Sequence, residues 1–213
     1  MFNKVIGEWP AQERFLLTSC DDKYFKKYFP RFYKTFTEYW QLPIHVHIVD
    51  PTMESIDRLD NLKLTYTHCT TDPNILKWQY SYETYCQAQR FILLGHNIAR
   101  GQSVTVADVD CYALRSPNTT QKHTLGSDMA FTEYNGRLMA TFCNFHHSRK
   151  DHAKKAAMRM EELLRTTDTI GVDQLVIKEI FKKFSYNNLP HRQWIRHHDC
   201  LLYTSPSPRD RTT

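Results

Sequence analysis

Glycine is scarce in this sequence, with six in 213 residues. That scarcity argues against a fold built on glycine-rich phosphate loops. Paired cysteines are missing as well. Six cysteines are present, but no Cys-x-x-Cys and no ladder of short spacings. A zinc ribbon or a disulfide framework is therefore excluded, and Cys20, Cys69, Cys86, Cys111 and Cys143 read as small buried residues or free thiols. No stretch is apolar for the length of a membrane helix, and the N-terminal segment has no signal-peptide core, so cytoplasmic residence is the expectation. A strong charge bias is absent too. The net charge of +5 lacks the clustering of a dedicated nucleic-acid binder, which makes nucleic acid an unlikely partner.

What is present is aromatic and apolar. Aromatics make up 13% and hydrophobics 41% of the residues, so disorder is not expected over most of the chain. The length suits one α/β domain. The segment 200–210, Cys-Leu-Leu-Tyr-Thr-Ser-Pro-Ser-Pro-Arg-Asp, resembles a translated transposase adapter of the kind used to prepare sequencing libraries. The expectation is one domain over 1–199, truncated at its C-terminus, followed by a non-native tail at 200–213.

Along the chain, the apolar run at 15–19 ends in Asp21 and Asp22 and predicts a buried first strand near 14–19. Aromatics then recur near helical spacing from Tyr24 to Trp40. Pro30 divides that run, so a helix is expected to start there. Residues 44–49 alternate and predict a second strand closed by Asp50-Pro51. A third is expected at 62–66, a helix at 80–94, and a fourth strand at 103–108 preceded by Gly101. Two more strands, 128–134 and 137–145, are expected around an Asn135-Gly136 turn. Helices follow at about 150–165 and 172–184, the second with Leu175, Val176, Ile180 and Phe181 inward. Strands alternating with helices predict a mainly parallel central sheet flanked by helices.

Asp108 and Asp110 are the chemically telling pair. They lie two apart where an apolar strand ends, and strand alternation would turn both carboxylates to one side. Ligands of open α/β sheets collect beyond the carboxyl ends of strands. Two carboxylates there suit a hard divalent cation. The same pair also reads as a solvated turn after a strand.

The segments 90–94 and 104–114 resemble the GT-A glycosyltransferases, in which an Arg-bearing helix precedes a strand ending in Asp-x-Asp. The run 17–24 resembles that family's first strand and nucleotide loop. Gly171-Val172-Asp173-Gln174 resembles its late Asp-Gln pair. The resemblance spans about residues 15–184. It implies a GT-A fold, with a small antiparallel addition after the Asp-x-Asp motif. It also implies sugar transfer from a nucleotide-diphosphate donor to a glycan, lipid or protein acceptor, dependent on Mn2+ or Mg2+. Thr18 and Cys20 would line the nucleotide pocket, and Asp50 would lie near the base or ribose. Arg90 would meet the phosphates or pair with Asp108. Asp108 would touch the ribose or sugar and share the metal with Asp110. Asp173 would act near the donor sugar as base or orienting carboxylate.

Plainer readings stay open. Arg90 reads equally as an ion-paired helix residue, Asp173 as a first-turn acid favoured by the helix dipole, and Asp50 as a turn former. The family's third metal ligand, near the C-terminus, has no match among His191, His197 and His198. The His146-His147 pair is a further candidate, facing either the acceptor or solvent. Two other functions compete: a non-catalytic sugar-nucleotide or glycan-binding module, and a metal-dependent phosphodiesterase. The latter lacks His-x-Asp spacing at strand ends.

Overall fold

The computed structural model describes residues 4–71, 81–117, 129–134, 137–181, 187–189 and 195–197. The expected tail at 200–213, the Asn135-Gly136 turn, His191 and His198 lie outside the described residues. The strands are β1 (Ile6–Gly7), β2 (Arg14–Asp21), β3 (Ile44–Val49), β4 (Thr65–Cys69), β5 (Ser103–Ala107), β6 (Cys111–Ala113), β7 (Ala130–Tyr134), β8 (Arg137–His146), β9 (Asn187–Leu189) and β10 (Ile195–His197). The helices are α1 (Asp22–Tyr39), α2 (Met53–Asn61), α3 (Ser81–Asn97), α4 (Lys150–Thr166) and α5 (Val172–Phe181).

Eight strands form one sheet in the order β1-β4-β3-β2-β5-β8-β7-β9, and β6 pairs with β10. The centre, β4-β3-β2-β5, is parallel, as the alternation of strands and helices requires. β8 then runs antiparallel to β5 and β7, which is the antiparallel addition expected after Asp110.

β2 reads as a continuous apolar run because both faces are covered. One face, with Phe15, Leu17, Val104 and Val106, packs under α3, α4 and α5. The other, with Leu16, Val46, Ile48 and Ala107, packs under α1. β3 departs from the alternation seen in its sequence. His45 and His47 do not face solvent, and both are fully buried. They survive there because each ring finds partners. His45 lies 3.1 Å from the hydroxyls of both Thr65 and Thr67, and His47 lies 3.0 Å from Thr67 Oγ1 and 3.4 Å from Cys69 Sγ. Burial pushes both imidazoles down to about 3, so the rings are neutral.

Three expectations about elements are corrected. α1 does not start at Pro30 but at Asp22, with Asp21 Oδ1 capping the Tyr24 N–H at 2.7 Å. Pro30 sits mid-helix on the exposed side. An interior proline costs about 3 kcal/mol. Burial of Phe25, Phe29, Phe32 and Phe36 along the opposite stripe returns roughly 1.5–3 kcal/mol each, so the aromatic stripe wins. The third strand starts at Thr65 rather than 62, because residues 53–61 form a helix whose exit uses Lys63 at φ 53°. Leu175 is 42% exposed, and Ile177 takes its place on the inward face of α5.

α3 and α4 touch closely at Gly95. A Cβ there would stand 2.4 Å from the Ala153 carbonyl oxygen and 2.6 Å from Ala157 Cβ. Only hydrogen fits this helix crossing.

Candidate functional site

The parallel strands all end on one edge, and three of them end in aspartate. β2 leads to Asp21 and Asp22, β3 to Asp50 and β5 to Asp108. Because β8 pairs Phe142 with Ala107, its residues 138–141 reach the same edge from the opposite direction.

Asp108 and Asp110 are not in a strand. β5 stops at Ala107, and the Cys111 N–H donates to the Asp108 carbonyl at 3.0 Å, closing a turn. Val109 between them is 4% exposed, while both aspartates are half-buried. A turn pinned by its apolar middle residue presents the carboxylates, rather than strand alternation. The Asp108 N–H donates to the Thr141 carbonyl of β8 at 2.9 Å, which fixes the turn to the sheet.

Arg90 is the centre of the cluster. It is 2% exposed, on the face of α3 turned to the sheet edge. One Nη lies 2.5 Å from Asp108 Oδ1, and the other lies 2.8 Å from Asp173 Oδ2. The second Nη also donates to the Ala140 carbonyl at 3.4 Å, while Nε is buried without a hydrogen bond. Burial alone would push the guanidinium down. Asp108 and then Asp173 outweigh it and hold Arg90 above its ordinary range. Both forks of the guanidinium are thus taken up by the protein's own carboxylates.

Asp173 opens α5 and is itself 6% exposed. Its Oδ2 takes Arg90 and its Oδ1 accepts the Gln174 N–H at 2.7 Å. Arg90, Asp108 and Asp173, from three elements and 83 residues of chain, therefore meet at one point.

The other sequence-derived candidates sit nearby but are differently engaged. Thr18 is fully buried, with Oγ1 lacking a hydrogen bond. Cys20 is 4% exposed, and burial, with Asp21 and Asp22 beside it, pushes its thiol well up. Asp50 is held at φ 50°, and its carboxylate accepts the Thr71 N–H at 2.8 Å and the Thr71 hydroxyl. Its carboxylate thus ties the end of β3 to Thr71, two residues beyond β4. Tyr82 of α3 is pushed up, by burial first and then by Cys86, Asp21 and Asp50. His146 and His147 sit elsewhere. His146 pairs with Ser103 at the start of β5, the edge opposite Asp108. Sequence reasoning assigned no role to Gln174, whose amide bonds to β8, nor to the buried histidines of β3. The Asp-Gln pair was the available signal for the first.

Asp108 and Asp110 offer oxygen donors of the kind a hard divalent cation takes. With Arg90 and Asp173 their formal charges sum to −2, the charge one such ion would balance. Among the described residues, no cluster of three or more His, Cys, Asp or Glu forms a complete ligand set. Further ligands would have to come from water or a bound anion. Among the described residues, no helix is long and apolar enough to cross a membrane.

No protein-family model matches the chain, and no curated protein does. Solved structures do. The apo structure of the bifunctional glycosyltransferase WbbM superposes with a TM-score of 0.60 at 13% identity, over 86% of this chain and 40% of that one. Apo glycosyltransferase GlyE of Streptococcus pneumoniae TIGR4 gives 0.54 at 13% identity, over 84% of this chain and 45% of its own. The chain thus spans less than half the length of either. Its mixed α/β architecture, a mostly parallel sheet between helices, is the fold of these glycosyltransferase structures.

Proposed function

We propose that the chain is a glycosyltransferase domain that takes its sugar from a nucleotide-diphosphate donor, with a divalent cation held at Asp110 and Asp108. The observation that carries this reading is the Arg90–Asp108–Asp173 cluster beside Asp110, at the carboxyl edge of a sheet with this fold. Arg90 is fully committed to carboxylates, so it has no charge left for a diphosphate. An edge bearing Asp21, Asp22, Asp50, Asp108 and Asp110 repels phosphates unless a cation intervenes. Mn2+ or Mg2+, when bound, neutralises charge on the leaving diphosphate.

The chain's own residues supply position and field. The Asp108–Cys111 turn sets the two carboxylates on either side of buried Val109. Asp173 has donors on both oxygens, Arg90 on one and the Gln174 N–H on the other. That arrangement suits a fixed negative charge orienting the donor sugar better than a base collecting a proton. Preorganised charge of this kind needs no rearrangement as the glycosidic bond lengthens. Asp50, bonded to Thr71, shapes the end of β3, where the nucleoside would lie, and Thr18 and Cys20 underlie the same strand ends.

The test combines binding with turnover. A panel of nucleoside diphosphates and their sugar conjugates is screened for thermal stabilisation, with and without manganese. One nucleotide should raise the Tm, and only with the metal, because ligand that binds the native state stabilises it. Hydrolysis of the conjugate then separates a transferase from a binding module. Asp110→Asn should abolish metal-dependent turnover with the Tm of the free protein within about 2 °C. Full turnover by Asp110→Asn at limiting manganese would refute the metal assignment.

A further inference from the structure

We propose that Gln174 is a positioning residue that sets Asp173 and the Asp108 turn in mutual register through the backbone of β8. The inference builds on the proposed site, but the geometry behind it stands apart from the choice of substrate. β8 leaves its partner strand at this point. Phe131 of β7 pairs with Cys143, yet the next residue, Thr132, pairs with Met139. Residues 140–142 are therefore excluded from the β7 ladder, and their backbone groups need other partners.

The site supplies most of those partners. The Gln174 side chain accepts from the Ala140 N–H at 2.8 Å and donates to the Leu138 carbonyl, acting as a one-residue strand. Arg90 donates to the Ala140 carbonyl. The Asp108 N–H donates to the Thr141 carbonyl, and Cys111 Sγ lies 3.7 Å from the same oxygen. Thr132 Oγ1 donates to the Phe142 carbonyl at 3.1 Å. The excursion in β8 is thus a hub with α3, α5 and the Asp108 turn bonded to consecutive peptide groups. Gln174 bonds it from the residue adjoining Asp173, whose carboxylate in turn accepts the Gln174 N–H. Both ends of the Gln174 amide are occupied by backbone, so its role is to hold rather than to react.

Residue-resolved amide exchange tests this without any substrate. Gln174→Met keeps the length and removes both bonds. Exchange at Ala140 should rise about tenfold, the equivalent of one lost hydrogen bond. Exchange at Asp108, two bonds away through Thr141, should rise at least about threefold, with β2 and β3 unchanged. A merely local cap would move Ala140 and leave Asp108 untouched, and that result overturns the proposal. Equal acceleration through β2 and β3 overturns it too. Gln174→Glu keeps an acceptor for Ala140 and should leave that amide slower than in Gln174→Met; the reverse order counts against the mechanism. Where the wild type turns over a sugar nucleotide, Gln174→Met should lower kcat at least tenfold with the donor KM within about twofold. A wild type without turnover counts against the transferase reading alone, because the exchange data stand independently.

Discussion

Acid should destabilise this protein well before its carboxylates titrate, and the two histidines of β3 set the slope. His45 and His47 are neutral in the fold, held down to about 3 by burial, with His45 and His68 adding to it at His47. An exposed histidine titrates near 6.5. The unfolded chain therefore takes up protons that the fold refuses. The stability involved is fully present above pH 6.5 and is lost as pH falls toward 3. Each residue contributes a slope of about 1.4 kcal/mol per pH unit inside that window. From pH 7 to pH 5 the loss is about 2 kcal/mol per histidine, and about 4 kcal/mol for the pair. That is a large share of a typical stability of roughly 5–15 kcal/mol. Asp22, where burial works upward but the bonds to Ser55 and Thr52 bring the carboxyl down to about 2, acts only below about pH 4, outside the range from pH 7 to pH 5. Urea unfolding monitored by tryptophan fluorescence reads the effect. With a slope of about 2 kcal/mol per molar, the midpoint should fall by about 2 M between pH 7 and pH 5. His47→Gln lowers stability at pH 7, yet it should remove about half of the pH dependence. A wild-type midpoint that moves by less than 0.5 M (about 1 kcal/mol at that slope), or a variant with the full slope, would refute the reasoning.

Arg90→Met should destabilise by about 3–5 kcal/mol, because it leaves Asp108 and Asp173 without their counter-charge; a Tm within about 2 °C of wild type contradicts the cluster. Gly95→Ala sets two effects against each other. Alanine favours the helix by about 1 kcal/mol, but its Cβ meets the Ala153 carbonyl, and overpacking costs about 1–3 kcal/mol. Destabilisation should win, and a raised Tm in differential scanning would show that α3 and α4 separate freely.

The parallel core was legible because it is written in buried runs. Residues 15–19, 44–49 and 103–107 are too short for helices and are bounded by aspartate or glycine, and all three are central strands. The edges of that reading failed where tertiary packing overruled a local signal. Pro30 reads as a helix start, but the aromatics on both sides of it share one stripe. The helix at 53–61 was missed because its apolar content is small, with Leu59 and Ser55 its buried residues. Alternation at 44–49 gave the strand β3 but not its burial, which depends on hydrogen bonds from β4 that let the imidazoles stay dry. At the site, pairing with Asp108 was one of the two roles that the resemblance implied for Arg90, while Asp173 was named as a separate piece. The union with Asp173 was not legible, since nothing local says that a helix at 90 and the opening of a helix at 173 share one guanidinium. The backbone hub in β8 was invisible for a deeper reason. It is made of peptide groups, and any sequence able to take that excursion would supply them.

The long span of the Arg90 contacts has a consequence for how the chain emerges from synthesis. Asp108 follows Arg90 by 18 residues, but Asp173 follows it by 83. A growing chain that has reached the end of β8 already holds β2 to β5 and their aromatic helix. It also holds a guanidinium with a single carboxylate and no cover from α4 or α5. Closing the sheet face over Arg90 at that stage would bury one guanidinium Nη without the carboxylate oxygen of Asp173 that it bonds, which is unfavourable. The face therefore stays open until the last described helix arrives with its acid. Assembly of the two halves becomes a single late event, and the carboxylate that completes it is the one proposed to orient the donor sugar.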